Sequence, residues 1–196
     1  MTLRWARVAV VPMTGPRSAA VPGGFSFGDY LRCGAIAARS PIAAAIRAHA
    51  GRGGMVLGIC NGFQVLTELG LLPGALMRNA GLTFVCKDAT LRVASRDNPF
   101  LGAFSAGERL SLPVAHHDGN YQIDAEGLAR LKGEGRVALT YRGDLNGSVD
   151  RIAGVMSENR RVLGMMPHPE RAAEPIHGGS DGARFFHGLI DAGVAV

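Results

Sequence analysis

Residues 55–64 read Met55-Val56-Leu57-Gly58-Ile59-Cys60-Asn61-Gly62-Phe63-Gln64, and the architecture follows from this segment. Met55–Ile59 is a short apolar run of the kind that forms a buried strand, and residues 61–69 form an apolar-rich helical stretch closed by Gly70. Between them, Gly58-x-Cys60-x-Gly62 has the form of a nucleophile elbow: a strand, a sharp turn bearing the reactive residue, then a helix. Glycines on both sides suit a tight turn, where a side chain would collide with neighbouring strands. Cys60 falls at the helix N-terminus, where free N–H groups and the positive end of the dipole favour a thiolate. The N–H of Asn61 is then placed to donate to an oxyanion.

About a hundred residues later, Met165-Met166-Pro167-His168-Pro169-Glu170 supplies a histidine and a carboxylate two positions apart. A lone cysteine in an apolar run is usually a small core residue, and His-x-Glu triplets are common on surfaces. The elbow and the His-Pro-Glu segment together point to acyl transfer through a thioester, with Cys60, His168 and Glu170 as the catalytic set.

In the flanking sequence, residues 8–11 read as a short buried strand, and 12–20 as irregular. Residues 41–50 look helical, with Ser40 as N-cap, Pro41 at the first position and Gly51 as stop. Strand-like alternation covers 82–94 and 110–116, a short helix covers 124–132, and strands are expected at 136–142, 152–156 and 162–166. Residues 181–192 carry apolar positions at 185, 186, 189 and 190, the stripe of an amphipathic helix. The pattern predicts one α/β domain over residues 1–196: an open, mostly parallel sheet flanked by helices, with a small antiparallel extension.

Composition narrows the function. No stretch approaches the roughly 20 apolar residues that span a bilayer. Pro12 cuts short the run after Arg4 and Arg7 before a signal-peptide core forms. The net charge is +5, yet the arginines are spread along the chain, which argues against nucleic-acid binding. Cys33, Cys60 and Cys86 form neither a disulfide framework nor a metal-ligand pattern, so no metal is expected and a reduced, cytoplasmic setting fits. Cys33 and Cys86 read as packing residues. His116-His117-Asp118 invites a metal reading, but adjacent histidines on a strand point to opposite faces. A strand end near the site or a partner suits them better.

Upstream, Val21-Pro22-Gly23-Gly24 leads into Phe25-Ser26-Phe27-Gly28-Asp29-Tyr30-Leu31-Arg32-Cys33-Gly34. Pro-Gly is ordinary turn punctuation, but glycine also lets a backbone N–H approach a reacting carbonyl. With the elbow downstream, Gly23 and Gly24 become candidates to complete an oxyanion hole with Asn61.

These segments, with Leu72-Pro-Gly-Ala-Leu, His116-His-Asp-Gly-Asn-Tyr and Gly164-Met-Met-Pro-His-Pro-Glu-Arg, resemble the glutaminase subunits of phosphoribosylformylglycinamidine synthase, which are class I glutamine amidotransferases of purine biosynthesis. The resemblance covers about residues 21–190. It implies hydrolysis of glutamine to glutamate and ammonia, with ammonia passed to a large synthetase subunit and a small third subunit bridging the two. It implies no cofactor on this chain, with ATP and Mg used by the synthetase; the lack of a Gly-x-x-x-x-Gly-Lys-Ser/Thr loop agrees. Gln64, one helical turn after Cys60, is a substrate-positioning candidate by the same match. Asp29, Tyr30 and Arg32 match the family's loop, where a partner-facing or purely structural role stands equal with substrate contact. The chain departs from the family before Pro22, where about 25 expected residues are missing. A parallel crossover from Val11 to Val21 would need a dozen residues or more, so the first strand is expected either at a non-family position or joined to the sheet by an extended connection. An impaired subunit that only assembles the complex is the alternative, against which the complete triad argues.

Overall fold

The computed structural model of the chain describes residues 11–13, 18–29, 31–177 and 179–194. Three strands make its catalytic edge: β1 (Val11–Met13), β2 (Ser18–Val21) and β3 (Met55–Ile59). Helix α1 (Pro41–Gly51) precedes β3, and α2 (Asn61–Glu68) follows it. The middle of the chain adds β4 (Ala75–Met77), β5 (Val85–Val93), β6 (Arg109–His116) and β7 (Asn120–Gln122). The last third holds α3 (Ala125–Gly133), β8 (Val137–Tyr141), β9 (Ile152–Met156), β10 (Val162–Met165) and α4 (Asp181–Val194).

Eight strands form one sheet in the order β1-β2-β3-β10-β9-β8-β5-β6, and β4 pairs with β7 in a separate two-stranded sheet. All five residues of β3 are buried, as befits a strand covered on both faces. It lies parallel to β2 and to β10. Beyond β10 every ladder is antiparallel. The α/β class therefore holds, but the antiparallel part is larger than the small extension expected. In β5, Ala89, Leu91 and Val93 are buried while Thr90 and Arg92 are exposed, the period-two signature of a sheet with one solvated face.

At the start of the chain, positions 8–10 of the expected first strand lie outside the described residues. Val11–Met13 runs antiparallel to Ser18–Val21, so no helical crossover is required; antiparallel neighbours can be joined by a short connection. The strand β2 falls in a stretch expected to be irregular through residue 20, because its small residues carry little propensity and its pairing with β3 supplies the order. Ser40 does precede α1, but its hydroxyl donates back to Ala37 O at 2.6 Å rather than capping the helix. Asp124 does cap α3, its Oδ1 accepting from Gly127 N at 2.7 Å.

The register of β3 against β10 aligns Gly58 with Gly164 and Ile59 with Met165. Phe63 of α2 lies over that glycine: a Cβ on Gly164 would sit 2.1 Å from Phe63 Cδ2. The Phe63 ring stacks on Tyr121 with centroids 5.8 Å apart. Both rings are fully buried, which seats the helix carrying the elbow against the sheet with roughly 1.5–3 kcal/mol per large side chain.

Candidate active site

Cys60 occupies the turn between β3 and α2 with φ 50° and ψ −108°, outside the regions open to ordinary L-residues. Such a conformation costs on the order of 1–3 kcal/mol and persists only when its surroundings impose it. Here Cys60 N donates to Met165 O at 2.8 Å, and Cys60 O accepts from Gln64 N at 3.2 Å. The flanking glycines permit the approach. A Cβ on Gly62 would fall 1.9 Å from Val21 O, and one on Gly58 would fall 2.9 Å from the Gly62 carbonyl carbon. The elbow expected from Gly58-x-Cys60-x-Gly62 is thus present, with Gly62 facing a strand and Gly58 facing the helix itself.

His168 follows β10 and is anchored by its N–H, which donates to Pro113 O at 2.8 Å. Pro169 opens a single 3-10 turn that carries Glu170, and His168 Nδ1 lies 2.5 Å from Glu170 Oε1. That contact assigns the Nδ1 proton to the carboxylate side and leaves Nε2 for the reaction. Nε2 is buried and has no hydrogen-bond partner; the Cys60 thiol instead makes a long contact to Ala115 O at 3.7 Å. Catalytic hydrogen bonds commonly tighten only once substrate is bound. Burial opposes the charge of His168, but the neighbouring Cys60 and Glu170 outweigh it and push its pKa up to about 9.

A pH dependence follows. The imidazolium is present below about pH 9 and lost above it. If it protonates the leaving group, glutamine turnover should fall as the pH rises through that value. Glu170→Gln should move this alkaline limb to lower pH, because one support of the charge is gone while burial still opposes it. His168→Gln should cost roughly 10²–10⁴-fold in kcat, and Glu170→Gln less. Profiles of kcat/KM against pH for the three proteins check both statements.

The glycine loop closes over the pair. A Cβ on Gly23 would lie 2.7 Å from His168 Cε1 and 3.4 Å from Cys60 Cβ, so only glycine brings the backbone this near. Ser26 ties the loop to the elbow: its N–H donates to Asn61 Oδ1 at 3.2 Å and its hydroxyl donates to the same oxygen. Asn61 Nδ2 then donates to Gln64 Oε1 at 2.8 Å, and Gln64 Nε2 to Asp118 O at 2.7 Å. Gln64 faces the cavity beside Cys60, but its amide is engaged at both ends in holding the wall.

The cavity has a volume of about 420 Å³ and is lined by Cys60 and His168 together with Gly24, Asp29, Gln64 and His116. His116 is buried and ends β6, while His117 is exposed in the bend that follows, so the two are not adjacent strand residues on opposite faces as expected. Both line the cavity, as do Asp118 and Phe84. Cys33 is buried and donates to Asp118 Oδ2 at 3.1 Å. Cys86, by contrast, is exposed. The packing role expected for it fails because β5 turns that position to solvent. Arg32 pairs with Glu68, Nε to Oε1 at 2.6 Å, on the surface, and Tyr30 lies outside the described residues. The sequence left the role of Asp29 open between partner, structure and substrate and placed Asp118 in a loop near the site or a partner; both line this cavity.

The family model for the CobB/CobQ-like glutamine amidotransferase domain matches residues 12–179. The phosphoribosylformylglycinamidine synthase subunit PurQ of Cereibacter sphaeroides is 67% identical over 170 residues, covering 87% of this chain and 77% of the relative. The PurQ subunit of Roseobacter denitrificans is 62% identical over 176 residues, covering 90% and 79%. Among solved structures, PurLQS from Thermotoga maritima matches with a TM-score of 0.82 and 47% identity over 89% of this chain and 79% of that one.

Proposed function

This chain belongs to the CobB/CobQ-like glutamine amidotransferase family, among the PurQ subunits of phosphoribosylformylglycinamidine synthase, and on that footing we propose how its residues divide the work. It hydrolyses glutamine to glutamate and ammonia and supplies the ammonia to the synthetase subunit that makes formylglycinamidine ribonucleotide in purine biosynthesis. Its partners are that large subunit and a small bridging subunit, consistent with the PurLQS assembly of its Thermotoga relative. The eight-stranded sheet and the buried cluster among the described residues support one glutaminase domain. No helix among the described residues is long and apolar enough to cross a membrane, which is consistent with work in the cytoplasm. ATP and Mg act on the partner.

In our reading, the Cys60 thiolate attacks the side-chain amide carbon of glutamine. The tetrahedral oxyanion forms against the backbone N–H groups of Asn61 and the Gly23-Gly24 loop. The His168 imidazolium protonates the departing ammonia, giving the γ-glutamyl thioester, and the neutral ring then activates water to release glutamate. Glu170 orients the ring and sustains its charge. The observation that carries this is the pairing of the strained elbow with a buried imidazole whose Nε2 is unoccupied and whose Nδ1 is held by Glu170. A complete triad speaks for a working glutaminase over a silent assembly subunit.

A glutamine-analogue electrophile tests the assignment. In the assembled complex it should label Cys60, found by peptide mass spectrometry. Cys86 is an exposed thiol open to any simple alkylating agent, so protection by excess glutamine must distinguish the two. Labelling of Cys33 or Cys86 with Cys60 unmodified would overturn the nucleophile.

A further inference from the structure

We propose that Asp181 and Gly182, at the start of α4, are positioning residues for the reaction: they clamp the turn Pro169–Ala172 between α4 and β6 and so hold the Glu170 carboxylate on the His168 ring. This rests on the glutaminase reading and adds to it the part of the fold that sets the acid. The Glu170 side chain is 43% exposed, so burial does not fix it. It also borders a surface groove of about 510 Å³ whose wall carries Lys87, Asp88 and Arg171. A carboxylate free to swing has the two cations as rivals to the imidazole. Its place beside Nδ1 therefore depends on where the backbone of the turn is held.

The outer edge of β6 holds one side. Ser111 N donates to Asp181 Oδ2 at 2.8 Å, His168 N donates to Pro113 O at 2.8 Å, and the Cys60 thiol makes its long contact to Ala115 O. Positions 111, 113 and 115 alternate along the strand, so their backbone groups point away from β5 at steps of about 6.8 Å. Pro113 has no N–H to offer there, which suits a strand edge that receives a turn rather than another strand. One edge thus sets α4, the imidazole and the nucleophile in a row.

The helix α4 holds the other side. Gly182 is buried, and a Cβ there would lie 1.9 Å from Pro169 O, 2.8 Å from Pro169 C and 2.9 Å from Ala172 C. All three are backbone atoms of the turn that carries Glu170, so helix and turn touch along their main chains. Glycine is a poor helix former, and this contact accounts for its presence in the first turn of α4. Asp181, one residue earlier, ties the same end of the helix to β6, which leaves the turn walled on both sides.

The test uses the assembled complex and reads the alkaline limb of kcat/KM for glutamine against pH, a position that does not depend on how much of a variant is folded. His168 sets this limb. It faces Cys60 on the elbow, His116 on β6 and Glu170 on its own turn, and of these only Glu170 stands on the clamped turn. Gly182→Ala should move the limb down by about one pH unit, the low end of the effect of an adjacent opposite charge. Asp181→Ala should move it the same way by less, and Asp181→Asn, which keeps an oxygen for Ser111 N, should keep the wild-type limb. The Gly182→Ala/Glu170→Gln double variant should show no shift beyond that of Glu170→Gln alone, because both changes remove one contact. Gly188→Ala is the control: its Cβ would press on Ala103 Cβ at 3.0 Å, straining α4 away from the turn, and its limb should stay in place. A wild-type limb in both Gly182→Ala and Asp181→Ala would overturn the proposal, as would additive shifts in the double variant. Should Gly182→Ala fail to fold, Asp181→Ala decides. Titration of His168 by NMR, with isotope-labelled histidine in this subunit, gives the same comparison without turnover. A wild-type complex that does not hydrolyse glutamine would remove the glutaminase reading, while that titration still tests the clamp.

Discussion

Cys60→Ala is expected to lower glutamine-dependent amidation by the assembled complex roughly 10⁴-fold or more, the scale seen when a nucleophile is removed from a catalytic triad. Ammonia-dependent amidation should persist, because the synthetase chemistry resides on another chain. The size follows from covalent catalysis: without sulfur no thioester forms, and the remaining oxyanion donors act on an unactivated attack by water. Loss of both activities in equal measure would show that Cys60 holds the subunit together rather than performing chemistry. His168 offers an internal check. Cys60 is among the groups that raise its pKa, so its titration in the Cys60→Ala protein, followed by NMR, should move to lower pH.

The second large effect is expected at Gly62. A methyl group there would meet Val21 O at 1.9 Å and Val21 C at 2.7 Å, both backbone atoms of β2 that cannot swing aside. The helix α2 must then leave the sheet, carrying Cys60 and Asn61 with it. Overpacking of this kind costs about 3 kcal/mol or more, a large share of a typical stability of roughly 5–15 kcal/mol. Gly62→Ala should therefore melt several degrees lower, by about 2–4 °C for each kcal/mol in a chain of this size, and lose glutaminase activity. Gly51 makes the control: nothing lies within 4 Å of its added Cβ and it ends α1. Gly51→Ala should leave stability equal or raised by up to about 1 kcal/mol. Equal melting curves for the two variants would show that α2 does not pack on β2 as closely as the geometry requires.

The neighbourhood of Cys60, His168 and Glu170, the proposed catalytic residues, was legible because each part is a local motif with a mechanical meaning. Met55–Ile59 and Ile152–Met156 are continuous apolar runs, and the structure returns both strands with those bounds. The triad sits on two short segments whose glycines and prolines announce their turns. The misses have a common cause. Strands β4 and β7 are three residues long and owe their existence to each other, so no periodicity betrays them. Ser18–Val21 becomes a strand through its partner β3 rather than through propensity. Cys33 donates to Asp118, 85 positions away, and nothing in either neighbourhood alone marks the pair. Cys86 was misplaced because alternation along 82–94 is too weak to say which face of β5 meets solvent.

The parallel register of β3 and β10 makes the meeting of Cys60 and His168 a matter of counting. The nucleophile stands one residue past the aligned Ile59, and the imidazole stands three past the aligned Met165. Each residue advances a strand by about 3.3 Å. An insertion or deletion upstream, in the loops feeding either strand, can be absorbed before the ladder begins and leaves the pair in step. A single residue gained between Met165 and His168 has no such buffer and throws the two out of phase by a distance no side chain can recover. The loops feeding the two strands can thus vary in length, whereas the few positions from Met165 to His168 cannot, and there the chemistry is written as a number of residues.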